Sequence, residues 1–379
     1  MKLSKDRILT THAGSLPRPD ELVRMMWNKL DGKPVDESSL RTRVREAVSS
    51  IVARQDSAGI DIVSDGEMSK PGFSNYIAQR YTGFANRAEF RTLDLADAPG
   101  VAQKVFDTEA GRHVIFHEVI GPIELHDRAA IQTDLDNFKA ALGGRDPDDA
   151  FLCAVSPGQV TFNFTNRHYA SFEKYLWAVG DALSTEYKMI VDAGFNLQLD
   201  APDLASRGHF IGDGVSPEDH QKYLPLLIEV LNHATRDVPS EKMRLHLCWG
   251  NYEGPHHHDV ELRKIIDPIL KTRARFIYPE TANPRHGHEW EVWRDVKLPD
   301  DKALIPGVID TATNHVEHPR LIAQRLERFA NILGKENIIA GTDCGFGTFV
   351  GLSACDPVVA WLKLEALAQG ARIASENLC

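Results

Sequence analysis

The stretch Met243–Asn251, MRLHLCWGN, reads as an apolar strand that breaks into a polar cluster at its end. Seven further runs share that form: ILTTHA from Ile8, IDIVS from Ile60, FLCAVS from Phe151, FNLQLD from Phe195, RFIYPE from Arg275, ALIPGVID from Ala303 and IIAGTD from Ile338. Helical patterns lie between most of them. Leu176, Val179, Leu183 and Ile190 recur at helix-compatible spacing, as do Leu321, Leu326, Phe329 and Leu333, and Gly59, Gly194 and Gly334 close three of these helices. Strands alternating with helices in this number predict an α/β chain of the TIM (β/α)8 barrel type. Residues 70–150 are too long for one connection and read as an elaborated insertion after strand 2 that caps the barrel. No repeat or low-complexity linker divides the chain, so residues 1–379 are read as one catalytic domain.

Composition narrows the chemistry. At 42% hydrophobic and 26% charged residues the chain is expected to be a soluble globular protein, and no apolar run approaches the ~20 residues of a membrane span. The N-terminus MKLSKDRILTTHAGS lacks the apolar block of a signal peptide, so the cytoplasm is the expected compartment. Cysteines at 153, 248, 344, 355 and 379 have no disulfide-framework spacing, which leaves thiolate chemistry for any that matter. A net charge of −11 with no basic stripe argues against a nucleic-acid partner and for a small molecule.

In a barrel the active site sits at the C-terminal ends of the strands, and here polar clusters end strand after strand: THAGSLPRP, SDGEMSKPG, SPGQVT, LDAPDLA, HLCWGN, PETANPR, VIDTATN and GTDCGFG. Any one of them also fits ordinary turn chemistry. Period two places His246 and Cys248 on one strand face, a half-site for zinc or a buried core pair. Glu280 and Cys344 close two further strands over the same mouth, which completes a His/Cys/Cys/Glu shell.

From THAGSLPRP through SDGEM, LQLDAPDLA, LHLCWG, YPETA and PGVID to GTDCG, the chain resembles the C-terminal catalytic half of cobalamin-independent methionine synthase and its single-barrel relatives. The resemblance implies that His246, Cys248, Glu280 and Cys344 bind Zn2+, and that Ser15, Glu67 and Asp200 hold an amino-acid substrate. A carboxylate pair suits a substrate ammonium. It also implies a zinc-dependent methyltransferase acting on a homocysteine-type thiol, in methionine biosynthesis. Zinc-bound thiols are deprotonated, whereas a free thiol has a pKa of roughly 8.5. The glutamate, the hardest of the four ligands, is the one the incoming sulfur is expected to displace.

Two departures leave the methyl donor open. The synthase's N-terminal half has no counterpart here, and after strand 7 the segment GVIDTATNHVEHP carries Ala312 where that family has its proton-donating histidine. His315 lies three residues on and is either the substitute acid or a solvated side chain, with His12 on strand 1 the next candidate. The donor is a methyl-folate, a methylcorrinoid protein or a small methylated compound. Epoxyalkane:coenzyme M transferase, a single-barrel relative, opens an epoxide with the same activated thiolate, but its thiol carries no ammonium, so Glu67 and Asp200 favour an amino-acid thiol. A non-catalytic zinc- and thiol-binding barrel is the reading from another class.

The other motifs carry paired readings. His256–Asp259, HHHD, is a metal trap or a solvated loop. His286, His288, Glu289, Trp290 and Trp293 line the electrophile's pocket or anchor the next helix. Arg18 meets an anionic substrate group or a surface partner. Cys153 and Cys355 are core filler, and Cys379 is a tail residue.

Overall fold

A computed structural model describes residues 1–88, 91–206, 210–211 and 220–378, which leaves the reading of Cys379 outside the described residues. Six parallel strands form the main sheet: β1 (Val63–Ser64), β2 (Ala150–Val155), β3 (Asn196–Asp200), β4 (Met243–Leu247), β5 (Phe276–Pro279) and β6 (Ala303–Leu304), hydrogen-bonded in that order. β2 to β5 are buried at every position, as expected of strands covered on both faces. The runs from Ile8 and Ile338 contribute single bridges. Leu304 pairs with Ile338, Gly307 with Gly341 and Thr10 with Ala340, all parallel, and the Ile62 N–H donates to Thr10 O at 3.0 Å. Hydrogen bonding therefore passes from β6 through residues 338–341 and 8–13 back to the segment leading into β1.

The helices cover the outside. Glu37–Ser57, Phe172–Asp192 and Pro319–Leu333 each end just before the expected glycine, with Gly59, Gly194 and Gly334 at φ of 80°, 101° and 89°. In Phe172–Asp192 the buried stripe includes Leu176, Val179, Leu183 and Ile190 as read. In Pro319–Leu333 the buried stripe is Ile322, Ala323, Leu326, Phe329 and Ala330, so Leu326 and Phe329 face inward as read, whereas Leu321 is 38% exposed. Two separate apolar clusters result. A large one joins sheet to helices, and a smaller one, with Ala13, Ile62, Phe151, Phe276 and Ile305, gathers residues from strands all along the hydrogen-bonded series. Arg244 is fully buried, donates to Thr11 Oγ1 at 2.9 Å and His12 O at 2.7 Å, and lies 3.9 Å over the Phe151 ring. Its charge is tolerated there by these bonds and by the aromatic face.

Between β1 and β2 the chain leaves the sheet. Phe84–Ala88 pairs antiparallel with Phe116–Val119, which pairs parallel with Thr165–Asn166, and the short helices Leu93–Asp97, Pro99–Phe106 and Glu109–Arg112 fill the span. Helix Arg128–Leu142 then packs on Glu37–Ser57 and Phe172–Asp192 like any outer helix, so the irregular part of residues 70–150 ends before it. Among the described residues no helix is long and apolar enough to cross a membrane.

Candidate functional site

His246 and Cys248 emerge from β4 with the period-two placement expected, and Cys344 reaches the same point from the loop beyond residue 341. One donor atom from each lies within 4.8 Å of the others, and the two sulfurs are 3.5 Å apart. The His246 Nδ1–H donates to Tyr278 O at 3.3 Å, which fixes the tautomer and turns a bare Nε2 lone pair inward, buried and without a partner. Burial, with the nearby Arg244 charge, pushes His246 down to about 3, so the imidazole is neutral. The hydrogen bond shared with Cys344, burial and the Glu280 carboxylate push the Cys248 thiol well above its usual range. A cation would reverse that balance, and the Gly250 N–H already donates to Cys248 Sγ at 3.2 Å. An orphaned imidazole nitrogen facing two thiols fits a borderline metal such as zinc.

Glu280 sits at the end of β5, 1% exposed, and is not among the atoms that converge. Its Oε1 accepts from the Trp249 N–H at 3.1 Å, and its Oε2 accepts from Asn283 Nδ2 at 2.9 Å and Arg285 Nη2 at 3.1 Å. The sequence reading did not single out Asn283 and Arg285, because a coil gives no periodicity by which to aim them.

A second buried group adjoins the first. Asp200 on β3 is in register with His246 on β4, and a carboxylate oxygen from each of Glu67 and Asp200 lies within 4.8 Å of the other and of Cys153 Sγ. Glu67 adopts a left-handed φ of 57°, uncommon outside glycine, where Arg18 Nη2 donates to its carbonyl at 2.9 Å and its own N–H donates to Asp65 Oδ1 at 3.0 Å. Glu67 Oε2 is buried without a partner. Asp200 Oδ1 accepts from Gln198 Nε2 at 2.7 Å, while burial and then the Glu67 charge push its carboxyl well above the usual range. Cys153 is part of the smaller apolar cluster, as expected of core filler, and its sulfur lies against this pair. Ser15 closes the group: its Oγ accepts from the Gly347 N–H at 3.4 Å, and a Cβ at Gly345 would fall 2.0 Å from that oxygen, so only glycine fits there.

Ser15, Glu67, Asp200, His246, Cys248 and Cys344 all line one cavity of about 680 Å³. Its far side is apolar, with Phe73, Phe162 and Phe349 joined by Val101, Val105 and Phe116 from the segment between β1 and β2. No pattern in the sequence could have assigned those side chains to the cavity.

Several expectations are corrected. His12 is buried away from the cavity, with Nε2–H donating to Gln55 Oε1 at 2.7 Å and Nδ1 accepting from the Gly14 N–H, and burial lowers it to about 3. His315 is exposed and does not line the cavity either, since its segment turns outward so that its carbonyl accepts from Lys363. Arg18 meets neither an anion nor a surface partner: it is buried and donates to the carbonyls of Gly347, Glu67 and Lys70. In the HHHD run both readings keep a footing: His256 is buried against Asp259, while the exposed His257 and His258 both bond Asp97, their donor atoms within 4.8 Å of one another as a metal trap requires. His286 bridges Asp259 and Glu289, Glu289 receives the Leu262 N–H at the start of a helix, Trp293 is buried and His288 is exposed, so this stretch anchors structure and does not line the cavity.

The family model for the catalytic domain of cobalamin-independent synthases matches residues 8–94. The methionine synthase of Saccharolobus solfataricus is 23% identical over 373 residues, 97% of this chain and 95% of that protein. That of Thermococcus kodakarensis is 23% identical over the same length and 94% of its own chain. The solved B12-independent methionine synthase of Shewanella sp. W3-18-1, in complex with selenomethionine, shares the fold at a TM-score of 0.73 and 20% identity, over 98% of this chain and 99% of that one. The chain is thus similar over nearly its whole length to methionine synthases, and over residues 8–94 to the catalytic domain of cobalamin-independent synthases.

Proposed function

We propose that the chain is a zinc-dependent thiol S-methyltransferase that methylates homocysteine at the mouth of a (β/α)8 barrel, with residues 70–127 capping it. The observation that carries this reading is the bare, buried Nε2 of His246 facing two thiols in a cavity that also holds a pair of buried carboxylates. His246, Cys248, Cys344 and Glu280 would hold zinc, which when bound supplies an ionised thiol at neutral pH. Glu67 and Asp200 bind the substrate ammonium, whose positive charge relieves their mutual repulsion. Ser15 and the backbone N–H groups around Gly347 face the substrate carboxylate. The apolar wall keeps water from the thiol and seats the methyl donor, so the displacement becomes effectively unimolecular. A sulfonated thiol would place an anion against two carboxylates, which disfavours the coenzyme M branch.

The test incubates the zinc-loaded chain with homocysteine or coenzyme M against methylcobalamin, a methyl-folate and short epoxides, with product masses read out. Methionine is the expected product from one of the methyl donors. Cys248→Ser and Cys344→Ser should each lose zinc while the fold survives, because the donors sit on strand and loop ends and not in the core. No thiol consumed with any donor, or full zinc retention in both variants, would overturn the reading.

A further inference from the structure

Glu280 stands beside the metal-binding donors, within hydrogen-bond reach of Cys248, and its other neighbours hold both of its oxygens. Both of its oxygens are occupied, by the Trp249 N–H, Asn283 Nδ2 and Arg285 Nη2. Arg285 is itself fixed: its Nε donates to Asn283 Oδ1 at 3.1 Å, and its Nη1 stands 3.7 Å from Asp259 Oδ2. Asp259 is in turn tied to His286 Nε2 at 2.9 Å and His256 Nδ1 at 3.2 Å. A guanidinium held in this way competes with a metal ion for the same carboxylate, and a charge-assisted bond in a buried setting is among the stronger ones available.

We propose that Arg285 is a positioning residue that competes for the Glu280 carboxylate beside the His246, Cys248 and Cys344 donors, so that an incoming thiol meets a weakened competitor for the metal. The inference rests on the zinc reading above. It assigns to Arg285 a part in thiol exchange without contact with thiol or methyl donor. Removing the guanidinium frees Glu280 and deletes a positive charge near the cation, and both effects tighten metal binding and oppose the thiol.

The experiment titrates the metal-free full chain with Co2+ against a competing chelator, records the cobalt absorption bands, and then adds homocysteine. Arg285→Met should raise metal affinity about tenfold, shift the cobalt bands toward fuller coordination, and raise the homocysteine concentration needed to change them by a similar factor. Arg285→Lys should restore part of the wild-type behaviour. In a Glu280→Gln background Arg285→Met should raise metal affinity by clearly less than tenfold, because only the loss of the positive charge remains, and melting curves show whether each variant folds. Unchanged cobalt affinity and bands in Arg285→Met, or weakened cobalt binding in a folded Arg285→Met chain, would overturn the assignment while leaving the zinc reading in place. A wild-type chain that binds no cobalt overturns both.

Discussion

At Asp200 the neighbours decide the chemistry. The side chain gains one hydrogen bond from Gln198, loses water, and faces the Glu67 charge, so it is ionised only at the expense of repulsion unless a cation arrives. On the proposed function that cation is the substrate ammonium. Wild type should therefore bind homocysteine at least tenfold better than the desamino thiol of equal length, a charge-assisted contact being worth roughly 1.5–3 kcal/mol, and Asp200→Asn should erase most of that preference. Calorimetry with both thiols checks it, and a preference that survives the substitution sinks the clamp. Glu67 and Asp200 were legible because strand-end polar clusters converge in this architecture whatever their sequence separation. His12 was misjudged at the same resolution: Ala13 belongs to the inner cluster, and its neighbour His12 bonds Gln55 on a helix, an alternation that motif reading ignored.

Among the elements, the segment following β5 does more than connect. Asn283 accepts from the N–H groups of Arg285 and His286, Asp343 accepts from the N–H groups of Thr281, Ala282 and Asn283, and His286 lies between two carboxylates. Burial disfavours the His286 charge, but the bonds to Asp259 and Glu289 outweigh it and push the group up to about 9. A histidine raised in the folded state contributes stability that is complete below its unfolded pKa of ~6.5 and is lost as pH rises through the folded value. The metal-free chain should therefore lose on the order of 3 kcal/mol from this source between pH 6.5 and pH 10, and His286→Gln should flatten that limb. Denaturant unfolding at the two pH values measures it, and equal slopes in both chains would remove His286 from the account. The strands and helix ends of this architecture could be read from alternation and from glycine because they are local. The anchoring of this segment could not, since His286 finds Asp259 across 27 residues of chain.

On the scale of the whole molecule, the segment between β1 and β2 supplies apolar wall to the cavity, and the strand ends supply its polar floor. Those two halves answer to different parts of the reaction on the proposed function, the wall to the methyl donor and the floor to the thiol. The floor is set by backbone register: Asp200 on β3 and His246 on β4 are direct partners, and hydrogen-bonded strands keep neighbours ~4.8 Å apart. On that reading the sheet would work as a ruler. On the proposed function one strand grips the amino end of the acceptor and the next presents donors that meet its sulfur, so the accepted chain length would be metered by main-chain spacing that no single side-chain replacement can stretch. Cysteine, one methylene short, should be turned over at least tenfold less efficiently than homocysteine under the same donor, as kcat/KM for the two thiols would reveal, and parity between them would mean that the gauge is not the sheet.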